Sequence, residues 1–202
     1  MLLINPPVTK PCEPPAGIAK ISGFLKGHGI KHRLLDANLE GIYTILEETP
    51  DLCDTWTKRA WKNLSQNLAY LKGKYHNFDT YKRAVMDINR LIEIKGKTGT
   101  IQMSLSDYRT GNLSPVKSND LIVSAETFEK NPFYPYFNRR LREIIEAEKP
   151  SIAGFSLNYL GQALCTFAMA GFLRKHYPHI KIVLGGGLIT SWMRNPAWEN
   201  PF

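Results

Sequence analysis

The chain has 202 residues, of which 43% are hydrophobic, 11% aromatic and 22% charged, and its formal net charge is +8. This composition excludes a disordered or collagen-like chain and predicts one large globular domain or two small ones. No run of about 18 apolar residues occurs and the N-terminus lacks the pattern of a signal peptide, so we expect a cytoplasmic protein without a membrane span.

The first forty residues predict a strand, a loop, a helix and a second strand. Residues 2–4 are an apolar run closed by two prolines, which is typical of a buried strand. Further prolines in residues 8–15 predict a stiff loop. A helix is expected from Gly17 to the glycines around His28, and a strand over 31–36.

The last part of the chain repeats this order, with a strand over 151–156, a helix over 160–175 and a strand over 181–184. Strand–helix–strand units predict an α/β fold with a doubly wound parallel sheet, Rossmann-like or flavodoxin-like. We assign residues 1–40 and 134–202 to this domain. Because residues 192–202 are loop-like and no further strand follows, we expect the sheet domain to be truncated at its C-terminal end.

Residues 41–133 are predicted to be a mainly helical insertion. Apolar stripes over 56–71 and over 81–91 indicate two amphipathic helices that pair with each other. Alternation over 101–105, a turn and the run Leu121-Ile122-Val123 suggest a two-stranded excursion or an addition to the edge of the sheet. A helix containing Phe137 to Ile145 then leads back to the core.

Much of the positive charge lies in this insertion, where residues 51–97 contain ten Lys and Arg against five Asp and Glu. Charges that alternate with apolar residues are typical of a solvated helical face. A nucleic-acid surface is the alternative, and its candidate cations are Lys58, Arg59, Lys62, Lys72, Lys74, Lys82, Arg83 and Arg90.

Three loops are expected to meet where the strands of a parallel sheet end, which is where such sheets bind ligands. They are residues 5–17, 156–162 and 185–190. The glycines 185–187 allow a ligand to approach the backbone, although a tight turn without a ligand remains open. No Walker loop and no Gly-x-Gly-x-x-Gly motif follows a strand, which disfavours ATP hydrolysis and an ordinary dinucleotide site. The hydroxyl of Ser156 either caps the N-terminus of the following helix or contacts a ligand.

Three segments together resemble a known family: NPP…PPAGIAKISGFLKGHGIKHRLLDAN, SIAGFSLNYLGQAL and KIVLGGG. They are similar to the cobalamin-binding domain that precedes the catalytic barrel of cobalamin-dependent radical S-adenosylmethionine enzymes, many of which are methyltransferases. The resemblance covers residues 1–40 and 150–190, and the insertion matches no family that we can name.

The resemblance implies a corrin above the sheet and a nucleotide tail beside the last two loops. Ser156 and Leu157 would line the tail pocket, and the glycines would let the tail pass. The remaining polar residues would face the corrin amides, and the first loop would be shaped by its prolines. The residues implied in cofactor binding are Thr9, Pro14, Pro15, Gly17, Ser156, Leu157, Asn158, Tyr159, Gln162, Gly185, Gly186 and Gly187.

Two departures refine this expectation. Residues 36–41 have the frame of the Asp-x-His-x-x-Gly motif of other cobalamin proteins, but Asn38 replaces the His and the frame follows the second strand. We interpret this frame as coincidence, with Asp36 and Asn38 ending a strand, and expect base-off cobalamin without a protein histidine ligand.

The second departure is that the sequence has no Cys-x-x-x-Cys-x-x-Cys run for a four-iron four-sulfur cluster. Its cysteines, Cys12, Cys53 and Cys165, lie far apart, which also excludes a disulfide framework or a local zinc site. The chain is therefore expected to bind cobalamin and to need a separate barrel for the cluster and S-adenosylmethionine. The alternatives are a flavodoxin-like interaction or sensor module without a cofactor, and an RNA-binding adaptor that uses the basic insertion.

Overall fold

The computed structural model describes residues 1–12, 15–73, 77–96, 99–194 and 201. In these ranges the strands are β1 (Leu2–Asn5), β2 (Arg33–Asp36), β3 (Ile101–Met103), β4 (Tyr108–Thr110), β5 (Ile152–Ser156) and β6 (Lys181–Gly185). The helices are α1 (Ala16–Gly27), α2 (Ala37–Glu47), α3 (Thr55–Lys62), α4 (Leu64–Lys72), α5 (Phe78–Gly96), α6 (Ser118–Glu126), α7 (Tyr134–Glu148), α8 (Leu160–His176) and α9 (Gly187–Met193).

Four strands form a parallel sheet in the order β2-β1-β5-β6. Asn5 pairs with Asp36 in register, and Ser156 pairs with Gly185. Because all four strands are parallel, their carboxyl ends lie at one edge of the sheet, which we call the rim. The order of the strands reverses between β1 and β5, so the rim contains the switch point where ligands of such folds bind.

Helices cover both faces of the sheet, which confirms the predicted doubly wound α/β fold. On one face, α1 packs Ile18 and Leu25 against Leu3 of β1. On the other face, side chains of α7, α8 and α9 join a large core with Ala153 and Phe155 of β5. The α1 face is much the thinner of the two.

The insertion is mainly helical and shares the large core with the sheet, through residues such as Ile42, Ile88 and Phe128. The first predicted helix is in fact two, α3 and α4, joined at Asn63, and both pack against α5. The predicted pairing of amphipathic helices is therefore confirmed, with one more break than the apolar stripe indicates.

Two local predictions were wrong. Residues 121–123 belong to α6, which packs against α8 and buries Leu121 and Ser124; the second strand of the excursion is β4. Asn38 does not end a strand, because it lies in the first turn of α2. Asp36 caps this helix: the Asp36 side chain accepts a hydrogen bond from the backbone N–H of Leu39 at 3.1 Å. A carboxylate at that position satisfies a free N–H of the first turn.

Candidate functional site

Backbone hydrogen bonds connect the three predicted loops at the rim. The N–H of Val8, after β1, donates to the carbonyl of Gly161 at 3.3 Å. The N–H of Leu157 donates to the carbonyl of Gly185 at 2.7 Å, and the N–H of Leu188 donates to the carbonyl of Leu157 at 3.2 Å. The segments after β1, β5 and β6 therefore contact one another at the rim as the sequence predicts, although residues 187–190 of the last predicted loop form the start of α9.

Gln162, at the start of α8, is the central side chain of this surface. Its Oε1 accepts from the backbone N–H groups of Asn158 at 3.0 Å and Tyr159 at 3.1 Å. Its Nε2 donates to the carbonyl of Pro6 at 2.8 Å and to Oδ1 of Asn5 at 3.3 Å. Gln162 is fully buried. Its hydrogen-bonding groups thus fasten the β5 loop to the β1 loop and are not turned towards a ligand.

Asn158 fastens the β5 loop to the β6 loop. Its Oδ1 accepts from the N–H of Gly187 at 2.9 Å, and its Nδ2 donates to Oγ of Ser156 at 3.0 Å. Ser156 is therefore part of the rim hydrogen-bond network. Since a hydroxyl oxygen has a second lone pair and its own proton, the Ser156 side chain retains capacity for a ligand.

The sequence analysis missed the part of the network that lies on β1 and β2. Nδ2 of Asn5 donates to Oδ1 of Asp36 at 3.0 Å, which extends the side-chain network to the edge strand β2. Asn38 holds the backbone of Thr9 by accepting from its N–H at 3.0 Å and donating to its carbonyl at 2.9 Å. The available signal was that the two N-terminal strands each end on a polar residue, Asn5 and Asp36.

The three glycines after β6 differ in what they do. Gly186 has a φ of +108°, and a Cβ added there would lie 2.4 Å from the carbonyl oxygen of Leu157. Only glycine fits at this position, because the β5 loop approaches the backbone closely. Gly186 is therefore explained by a tight turn and needs no ligand. A Cβ at Gly185 would meet no atom within 4 Å, so this position faces open space.

Gly185 belongs to an open strip on the α1 face of the sheet. A Cβ at Gly154 would contact the side chain of Leu3, which places Gly154 on that face. Because side chains alternate along a strand, Ser156 lies on the same face as Gly154. On β6, Val183 pairs with Gly154 and Gly185 pairs with Ser156, so these two residues lie on this face as well. Val183 is 53% exposed, although it lies within a sheet. The α1 face of β5 and β6 is thus an uncovered strip of Gly154, Ser156, Val183 and Gly185 that ends at the rim, and we call this strip the trough.

The other predicted residues lie in the segments that follow β1 and β5. Thr9 is buried beneath Asn38, while Pro15 and Gly17 begin α1, where Gly17 faces open space. Tyr159 is 51% exposed beside the exposed Leu160. Pro14 lies outside the described residues.

Leu157, like Gln162, is fully buried. Its side chain lies in the large core and its backbone is used in the hydrogen bonds to Gly185 and Leu188. The hydrogen bonds from Gly187 to Asn158 and from Leu188 to Leu157 also close the space between the last two loops.

Among the residues that the structure describes, no helix is both long enough and apolar enough to cross a membrane. The histidines in this part of the chain lie at or just after the C-terminal ends of α1 and α8; they are His28, His32, His176 and His179. These helices run away from the rim, so the four imidazoles lie towards the other end of the sheet. No family model, curated protein or solved structure matches the chain.

Proposed function

We propose that the chain binds cobalamin as the cofactor domain of a cobalamin-dependent radical S-adenosylmethionine enzyme. The observation that carries the proposal is the open trough of Gly154, Ser156 and Gly185, which ends at a rim built from three connected loops. The sequence resemblance suggests the ligand, and the trough and the rim are the surfaces that would receive its two parts.

The nucleotide tail would lie in the trough, where the missing side chains of Gly154 and Gly185 leave room for a flat base against the sheet. The hydroxyl of Ser156 would donate to or accept from the tail. The corrin would rest over the rim, where Tyr159 and Leu160 expose apolar surface and the polar loops can bind its amides. Gln162 and Asn158 would act by holding the loops in place.

Bound cobalamin supplies cobalt-centred methyl transfer or adjusts a radical step. The chain has no Cys-x-x-x-Cys-x-x-Cys run, so we propose that a radical S-adenosylmethionine barrel, as another segment or a partner, carries the cluster and the substrate site.

Titration with hydroxocobalamin, followed by absorbance, tests the proposal. We expect saturable binding with a base-off spectrum for the unaltered chain. Gly185→Leu should weaken binding at least about tenfold, which corresponds to about 1.4 kcal/mol, because the leucine fills the trough. Since the position is open, the variant should keep its far-ultraviolet circular dichroism spectrum.

Gly27→Leu is the matched control, because Gly27 is also unobstructed but ends α1 far from the rim. It should bind cobalamin as the unaltered chain does. No spectral change with the unaltered chain would refute the proposal and favour a cofactor-free interaction or sensor module. Equal binding by Gly185→Leu and the unaltered chain would also overturn the assigned trough.

A further inference from the structure

The structure divides the cations of the insertion into two groups. Arg90 pairs with Asp54, and Arg59 pairs with Asp87 at 3.1 Å. Lys82 and Arg83 of α5 are exposed and have no acidic partner in the part of the chain that the structure describes. Two adjacent cations are thus available to a ligand, and both lie on the same turn of α5.

These two cations line a cleft between α3 and α5 with a volume of about 410 Å³. Trp56 and Arg59 of α3 form one wall, and Lys82, Arg83 and Met86 of α5 form the other. The cleft belongs to the helical insertion and shares no residue with the rim.

Trp56 is held in a fixed orientation in this cleft. Its Nε1 donates to Oδ1 of Asp87 at 2.7 Å, and the guanidinium of Arg90 lies 5.2 Å from the centre of its ring. The residue is nevertheless 38% exposed. A large aromatic side chain that is fixed at one edge and open to a cleft is a platform on which another flat ring can stack.

The charge of the cleft favours an anion. Asp87 is buried at its base, and the donors Trp56, Arg59 and Asn67 surround its carboxylate. Asp79 is the other carboxylate along the wall. Three cations, Arg59, Lys82 and Arg83, outnumber these two carboxylates, and Lys82 and Arg83 are exposed to solvent and pair with no carboxylate in the described residues.

We propose that this cleft binds a nucleotide unit, with the base stacked on Trp56 and the phosphate held by Lys82 and Arg83. Free nucleotides and single-stranded RNA both bind to an aromatic side chain, on which the base stacks, and to neighbouring cations, which hold the phosphate. Arg59 would stay on Asp87 and add positive potential to the cleft. The proposal is independent of cobalamin binding at the rim.

The test is fluorescence anisotropy of a fluorescein-labelled 12-nucleotide single-stranded RNA, with AMP as a competitor. The double variant Lys82→Ala/Arg83→Ala should bind the RNA at least about tenfold more weakly. The slope of log affinity against log salt should become shallower by about 1.4, which is about 0.7 for each lost phosphate contact.

The matched control is Lys20→Ala/Lys26→Ala, which removes the same charge from exposed positions on α1. It should bind RNA within about twofold of the unaltered chain. If the RNA were held only by non-specific electrostatic attraction, both double variants would lose affinity to the same extent. Trp56→Phe should in addition remove the part of the tryptophan fluorescence quenching that binding causes.

Displacement of the RNA by AMP supports the cleft as a site for free nucleotides as well as strands. RNA binding that AMP does not displace, but that the double variant loses, supports a strand site. Absence of binding by both probes overturns the proposal, as does an equal loss of affinity in the α1 control.

Discussion

At the scale of single residues, the rim depends on Gln162. The sequence indicates hydrogen-bonding groups after β5, and this is confirmed, but it cannot show where those groups are used. The amide of Gln162 reaches Pro6 and Asn5, which are 156 and 157 residues away in the chain. Such contacts arise only when the sheet brings β1 beside β5, so a ligand contact and a structural clamp look alike in the sequence.

Gln162→Ala should lower the free energy of unfolding by about 3 kcal/mol. The substitution leaves the N–H groups of Asn158 and Tyr159 and the carbonyl of Pro6 without their partner. Each buried group without a partner costs about 1–3 kcal/mol, and water that enters the space left by the side chain reduces the total. Urea unfolding followed by circular dichroism measures the change. Gln66→Ala, at an exposed position of α4, is the control and should change stability by less than about 0.5 kcal/mol. Equal effects would show that Gln162 does not clamp the loops.

The three cysteines should differ sharply in reactivity. Burial raises the pKa of the Cys165 thiol to about 12, while Asn131 beside it lowers the pKa by a smaller amount. Cys12 and Cys53 are exposed. Because the thiolate is the reactive form, a disulfide reagent at pH 8 should modify two thiols in the native chain and the third only in denaturant. Rapid modification of all three in the native chain would contradict the buried position of Cys165.

At the scale of elements, the sequence predicts the four parallel strands and helices α1 and α8 well, but it misses α2 and α9, which also begin at the rim. The apolar runs of the predicted elements are closed by prolines or glycines, as at Asn5-Pro6-Pro7 and after β6. A further failure occurs where a short run fits two structures. Leu121-Ile122-Val123 is β-branched in part but lies in α6, because α6 is buried against α8 and packing overrides local preference.

The contact between α6 and α8 makes Gly171 indispensable. A Cβ at this position of α8 would lie 1.9 Å from the carbonyl oxygen of Ala125, so the two helix backbones approach closely. Gly171→Ala should destabilise the fold by at least about 2 kcal/mol, within the usual range of about 1–3 kcal/mol for overpacking. Thermal and urea unfolding both report this change.

Gly23→Ala is the matched control for Gly171, because Gly23 lies in α1 with no atom near its missing Cβ. There the same substitution should stabilise the chain by about 0.5–1 kcal/mol through helix propensity. If both substitutions shifted stability in the same direction, the close approach of α6 to α8 would be wrong.

At the scale of the whole molecule, the two faces of the sheet are unequal. One face is sealed by a core that the insertion shares, and the other is covered by α1 only beside β1. This inequality leaves the trough along β5 and β6. Composition and periodicity predict the parallel sheet, but they cannot show which face stays open, because that depends on which strands each helix covers.

The central claim is that the trough receives the nucleotide tail of cobalamin. The most direct measurement compares the affinity of the chain for hydroxocobalamin with its affinity for dicyanocobinamide, which has the corrin but no nucleotide base. We predict at least about tenfold tighter binding of hydroxocobalamin, equivalent to about 1.4 kcal/mol from the tail. Equal affinities for the two corrinoids would contradict the claim.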